Sequence, residues 1–197
     1  INTYVFTDPI AVMENISSVT EFIRAKIKQK QTTAKRNVLH YSRTAEGEYY
    51  TRTDDGGFWR CYRYINDSVC FEQTDDLKMI EESGIAFGEF QLYLADYPVE
   101  KLHIVIPHFH NIRKAMEEDA AGRLQSVAQD VADYLALEST ATIPYKRQKA
   151  GILSLRVTHN DTKISNVLFD AKTHRHLSVI DLDTVMPGLV AFDFGDA

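Results

Sequence analysis

The sequence predicts an α+β chain in two parts, a small antiparallel β layer holding one helix (residues 1–65) and a mainly helical part (75–197), joined by a connector at 66–74. Three features predict it: apolar residues at helical spacing near the start, three short strand-like runs separated by turn chemistry, and helical periodicity from Asp75 until a closing hairpin. Ile1-Asn2-Thr3-Tyr4-Val5-Phe6 reads as an opening strand. Thr7-Asp8-Pro9 then starts a helix, with a capping side chain followed by a residue that has no N–H to leave unpaired. Ile10, Met13, Ile16, Val19, Phe22, Ile23 and Ile27 mark its buried stripe. Ser17-Ser18 is a candidate break, and Lys26 to Lys30 end the helix. Residues 38–43, 48–52 and 58–65 read as strands, divided by Ala45-Glu46-Gly47 and by Asp54-Asp55-Gly56-Gly57, and with the opening strand they make one sheet. Asn66-Asp67-Ser68 lead out of it.

Thr74-Asp75-Asp76 cap the next helix, which carries Leu77, Ile80, Ile85, Phe87, Phe90, Leu92, Tyr93 and Leu94. Gly84 and Gly88 read as points of close packing, each at roughly 1 kcal/mol relative to Ala. Pro107 to Asn111 form a loop. A further helical stretch follows, divided at Ala121-Gly122, and its later half presents Val127, Val131, Tyr134 and Leu135 on one face. Leu153 to Val157 return to strand, and Val167-Leu168-Phe169 pair with Leu177 to Leu182 across a turn.

With 197 residues, 44% of them apolar, the chain has material for a real core. A net charge of −6 argues against a general nucleic-acid or anionic-membrane partner. It does not exclude a metal-bound nucleotide, because the metal brings its own positive charge. Cys61 and Cys70 are too few for a disulfide framework and read as reduced thiols of a cytoplasmic protein. Apolar runs such as Ile104-Val105-Ile106 are far too short for a bilayer. Oligomeric state is left open. The chain opens on Ile1 inside an expected strand and stops directly behind an acidic motif, so both ends are expected to be cut from a longer protein.

Two acidic clusters carry the chemistry. His159-Asn160-Asp161-Thr162-Lys163-Ile164-Ser165-Asn166 fits H-x-D-x-x-x-x-N, in which an Asp takes a proton from a hydroxyl and an Asn binds Mg²⁺. Val179-Ile180-Asp181-Leu182-Asp183 places a carboxylate at the end of an apolar strand. One proton acceptor (Asp161), one amide oxygen (Asn166) and one further carboxylate (Asp181) match what phosphoryl transfer from Mg-ATP to a small hydroxyl compound needs, where positioning and charge neutralisation do most of the catalysis.

The first motif, extended through Val167-Leu168-Phe169-Asp170, resembles the catalytic loop of the aminoglycoside phosphotransferase and choline kinase superfamily. Val179 to Gly188, followed by Asp193-Phe194-Gly195-Asp196-Ala197, is most similar to its N-acetylhexosamine 1-kinase branch. Gly88-Glu89-Phe90-Gln91, Pro107 to Asn111, Val12 to Ile16 and Val19-Thr20 add weaker likeness. The resemblance implies a protein-kinase-like two-lobe fold, both lobes incomplete here, and ATP with Mg²⁺ as cofactors. It implies that Asp161 orients or deprotonates the acceptor hydroxyl, that Lys163 faces the transferred phosphoryl group, and that Asn166 and Asp181 hold the metal. His159 and Asp193 would be structural, Asp193 anchoring the loop after Asp181, with Asp183 beside the metal. It also implies a phosphate-covering hairpin and a phosphate-binding Lys or Arg before Ile1, and acceptor-binding helices after Ala197.

Other readings stay open at this point. Asp181-Leu182-Asp183-Thr184-Val185 also resembles the nucleophile motif of haloacid dehalogenase-like phosphatases, with Asp181 phosphorylated and Asp183 the acid. A non-catalytic kinase-like binding module is a third class. Tyr64 and Ile65 end the last strand of the small layer and are expected to border the adenine, or else to be interlobe core. Glu14 is read as the partner of the phosphate-binding cation or as an exposed helix residue. His108 and His110, with His103 nearby, lack a third ligand at telling spacing for zinc, and His174-Arg175-His176 read as a solvated turn.

Overall fold

A computed structural model describes residues 1–30, 36–110, 132–133, 136–137, 140 and 142–196. They form two compact units, one of Ile1–Val105 with Arg156–Ala197 and one of Ile106–Leu155. The smaller unit contributes a turn at Pro107 to His110 and the helix Ile143–Lys149 (α3), with Tyr145 Oη donating to the His110 carbonyl at 3.2 Å. The helical stretch expected after Asn111, with its divide at Ala121-Gly122 and its face of Val127, Val131, Tyr134 and Leu135, lies outside the described residues.

The larger unit opens differently from the expected strand. Asn2 Oδ1 accepts from Tyr4 N–H and the Asn2 carbonyl from Phe6 N–H, so Ile1 to Phe6 curl into a turn. This is the local side-chain competition with ladder pairing that Asn is prone to. Helix α1, Pro9–Gln29, starts where the cap predicted: Asp8 Oδ1 accepts from Ala11 N–H at 3.1 Å and Pro9 opens the first turn. It runs through Ser17-Ser18 without a break, because Ser17 Oγ donates to the Glu14 carbonyl one turn back and Ser18 Oγ bonds the Tyr97 hydroxyl. Val12, Met13, Ile16, Val19, Ile23 and Ile27 are buried along it. So is Asn15, whose amide bridges the His103 backbone and the Val185 carbonyl at 2.8–2.9 Å.

The strands of the small layer are shorter than expected. Thr51–Arg52 (β1) and Phe58–Trp59 (β2) pair antiparallel across the Asp54–Gly57 turn, and Tyr41 bridges Tyr62. A second sheet orders Ser68–Val69 (β3), Val167–Asp170 (β5) and His176–Val179 (β6), all antiparallel. Helix α2, Leu77–Tyr93, capped by Asp76, lies against it. Met79, Ala86 and Phe87 meet Val167 and Phe169 in a core, and burying a ring such as that of Phe169 stabilises by roughly 2–3 kcal/mol. Gly84 and Gly88 do not serve close packing, since a Cβ on either would meet open space among the described residues. Arg156–Thr158 (β4) pairs with Met186–Gly188 (β7), and Val190–Asp196 (α4) packs on β4. Among the described residues no helix is long and apolar enough to cross a membrane.

Candidate functional site

The 159–166 loop is held from behind by two carboxylates, Asp193 with most of the bonds. Asp193, buried in α4, accepts from His159 N–H (Oδ2, 2.9 Å), Asn160 N–H (Oδ1, 2.8 Å) and Gln91 Nε2 (Oδ2, 2.6 Å), while its carbonyl accepts from Thr162 Oγ1 at 2.7 Å. It therefore anchors the loop carrying Asp161, rather than the loop after Asp181 as the resemblance implied. Asp196 accepts from Thr162 N–H at 2.7 Å. The His159 ring, fully buried, donates from Nε2 to the Ile180 carbonyl at 2.9 Å and meets Phe87 and Phe90 edge-on. Burial holds its pKa below the ordinary imidazole value, so it is the neutral tautomer protonated at Nε2. Asn160 enters the left-handed region (φ 66°), with its amide tied to the Thr158 and Thr184 carbonyls, and turns the chain so that Asp161 follows at the surface.

The second motif is set by the β5–β6 hairpin. Ile180 N–H donates to the Asn166 carbonyl at 2.9 Å, fixing the two metal-ligand candidates to one backbone frame. Asp181 then leaves β6 in a left-handed conformation (φ 57°, ψ 57°), which Asp tolerates better than most L-residues, and a 3-10 turn follows at Leu182–Thr184.

Asn166 is buried and spends its Nδ2 on both the carbonyl and the Oδ2 of Asp161, each at 2.8 Å, so its amide oxygen is the group it has left to offer. Lys163 Nζ is 2.9 Å from the same Asp161 Oδ2, and that hydrogen bond raises the lysine's pKa. Lys163, Asn166 and Asp181 line a cleft of about 410 Å³ within this unit, together with Ser165 and Ile180 on one side and Leu39, Tyr41, Arg60, Tyr62 and Glu72 completing it. A cavity of about 260 Å³ among α1, α2 and β6 holds none of these acidic-motif aspartates.

The structure thus brings together Asp161, Lys163, Asn166 and Asp181. Asp183 is held at the same place indirectly, through an ion pair at 2.6 Å with Arg60 Nη2. Tyr64 is 73% exposed and Ile65 is core; neither lines the cleft, where Tyr62, Tyr41 and Leu39 stand instead. Arg60 is the residue missed. Its signal was a charge on the same alternation as Phe58, Tyr62 and Tyr64 along a strand face. Glu14 pairs with His103 Nε2 at 2.7 Å, at an exposed position. His176 is no solvated turn residue: its ring lies between Glu82 (2.6 Å) and Glu89 (3.4 Å) of α2. No cluster of three His, Cys, Asp or Glu side chains suited to a metal ion occurs among the described residues.

Do these residues suit Mg²⁺? The donors are one amide oxygen and one carboxylate, both hard. Mg²⁺ takes few protein ligands and completes its shell with water and phosphate oxygens, so a set below three fits it. The Asp181 carboxyl is pushed up from its ordinary value by loss of solvent, then by Asp183 and Asp161, the mark of a carboxylate short of positive charge. Magnesium bound there would neutralise phosphate charge. Burial likewise pushes the Tyr41 phenol far up, so it stays neutral beside Arg60.

A family model described as phosphotransferase enzyme family matches residues 38–197. Among solved structures, the GDP complex of wild-type aminoglycoside 2'-phosphotransferase-IIIa is similar, with a TM-score of 0.53 and 17% identity over 91% of this chain. The chain spans 60% of that structure's length. At that identity the likeness speaks for the fold, which is kinase-like with small antiparallel sheets and helices. The family match takes in most of the sequence, both acidic motifs included, and on it the chain belongs to the phosphotransferase enzyme family.

Proposed function

We propose that the intact protein transfers the γ-phosphoryl group of ATP to a hydroxyl of a small molecule. The observation that carries this is one cleft lined by Lys163, Asn166 and Asp181, the first two bonded to Asp161, in a chain of the phosphotransferase family. GDP in the similar structure supports a nucleotide here as well. In this reading residues 1–65 form the nucleotide side and 75–197 the catalytic side, with 66–74 between them. Asn166 and Asp181 hold Mg²⁺ against the phosphates. Asp161 accepts the acceptor hydroxyl's proton, its orientation fixed by Asn166 Nδ2. Lys163, now on Asp161, is near enough to follow the negative charge as it moves to the acceptor oxygen. The base sits near Leu39, Tyr41 and Tyr62 rather than at Tyr64 and Ile65.

The anomeric hydroxyl of an N-acetylhexosamine is the acceptor we infer, on the resemblance of the segments 179–188 and 193–197 alone. A phosphatase that uses Asp181 as nucleophile gains nothing from an antiparallel hairpin or from this family. The test is ADP release by the intact protein across N-acetylhexosamines, other sugars, choline and aminoglycosides, with Asp161→Asn beside it. Turnover should fall at least about 10³-fold in that variant while ATP still binds. Near-normal turnover would remove Asp161 from its role.

A further inference from the structure

Asp181 and Asp183 are two residues apart around a 3-10 turn, carry the same chemistry, and adjoin the same cleft. A hard divalent ion takes whatever carboxylate oxygens are within reach. Two carboxylates plus an amide would hold the ion by themselves, and fewer positions would remain for phosphate oxygens. The molecule treats the pair unequally. Arg60 Nη2 lies 2.6 Å from Asp183 Oδ1, with both side chains largely buried, whereas among the described residues no lysine or arginine is at ion-pair distance from Asp181. Arg60 is itself gripped, its Nη1 at 3.9 Å from Met13 Sδ and its guanidinium 5.9 Å from the Tyr41 ring. Asp183 Oδ1 is fully buried and has no aligned hydrogen bond, so the Arg60 charge is its compensation.

We infer that Arg60 is a positioning residue that decides which carboxylate meets the cation: by occupying Asp183 it reserves Asp181 for the metal–nucleotide. The inference rests on Asn166 and Asp181 being the cation's ligands. Without Arg60, the buried Asp183 carboxylate has no ion-pair partner among the described residues and turns toward the ion on Asp181.

The consequence has a sign that a merely structural arginine would not give. Nucleotide-free Mn²⁺ binding to the intact protein, followed by the electron paramagnetic resonance of free Mn²⁺, should tighten about tenfold in Arg60→Met. Arg60→Lys should stay within about twofold of the parent. Asp183→Asn should undo the gain in the Arg60→Met background, yet change affinity at most about twofold when Arg60 is present. Unchanged or weaker binding in Arg60→Met overturns the inference. Equal effects of Asp183→Asn in both backgrounds also overturn it, because they are what distant electrostatics alone produce. Arg60→Gln, which keeps bulk and polarity, carries the same expectations if Arg60→Met does not fold. Asp181→Asn tests the underlying ligand assignment separately: it should abolish Mn²⁺ binding with Arg60 present, and retained binding there refutes that assignment whatever Arg60 does.

Discussion

Replacing Asp193 by Asn exchanges one carboxylate oxygen for an amide nitrogen at a group whose acceptor capacity is already in use. Oδ1 accepts from Asn160 N–H and Oδ2 from His159 N–H and Gln91 Nε2, in a residue only 6% exposed. The better amide orientation points Nδ2 at the Asn160 N–H, since the other would set it against two donors. One charge-assisted bond is then lost, at about 1.5–3 kcal/mol, with a donor facing a donor. The remaining two weaken from charged to neutral acceptors, at roughly 1 kcal/mol each. The expected loss is about 4 kcal/mol, or roughly 8–16 °C in Tm for a protein of this size. Urea unfolding followed by circular dichroism measures it. Turnover should fall as well, because the backbone positions that lose their acceptor precede Asp161 directly. A loss below about 1 kcal/mol would show that the loop is held by something other than this carboxylate.

Asp181→Ala should weaken Mg-ATP binding at least about tenfold, or about 1.4 kcal/mol, by calorimetry, and unchanged affinity would count against its place on the metal. Gly188→Ala should cost about 1–3 kcal/mol in thermal unfolding, because a Cβ there drives into the Thr158 side chain on the paired strand; equal stability would mean that β4 and β7 separate freely. His159 titrates below the ordinary value of about 6.5 when folded, so its contribution to stability is present above that pH and is lost as pH falls through the folded value. Unfolding free energy measured from pH 7 down to 5 should therefore fall, and His159→Phe should flatten the slope; an unaltered slope would assign the dependence to other groups.

What could be read from the sequence was what is local. Asp8 and Asp76 cap the helices they precede because a cap needs only the next three residues. Asp161 and Asn166, singled out by their motif, also meet locally, because five residues of loop suffice to bring an amide back onto a carboxylate. The errors were also local, in places where two short-range preferences compete. Asn2 favoured a turn over a strand, and Ser17 returned its hydroxyl to the preceding turn instead of breaking α1. Partners far apart in sequence were illegible. Nothing in residues 58–65 says that Arg60 will meet Asp183, and nothing near His159 says that its N–H will rest on Asp193, 34 positions on. His176 read as a turn residue for the same reason, since its two glutamates lie on α2.

The distribution of satisfied and unsatisfied groups explains why chemistry would concentrate at one end of this cleft. Behind the loop, the N–H groups of His159 and Asn160 rest on the buried Asp193 carboxylate and that of Thr162 on Asp196, and the side chains of Thr158, Asn160 and Thr184 close on nearby carbonyls. That shell is neutral or paired, so it gains nothing from a ligand and holds its shape without one. In front of it, Lys163 is matched to Asp161 and Arg60 to Asp183, while the Asp181 carboxyl is pushed up by loss of solvent and then by Asp183 and Asp161. A phosphotransferase spends its binding energy on neutralising charge, and on the proposed reading Asp181 is the motif carboxylate left open to a metal–nucleotide complex. Asp183, one turn along, is a side chain whose Oδ1 is closed to solvent.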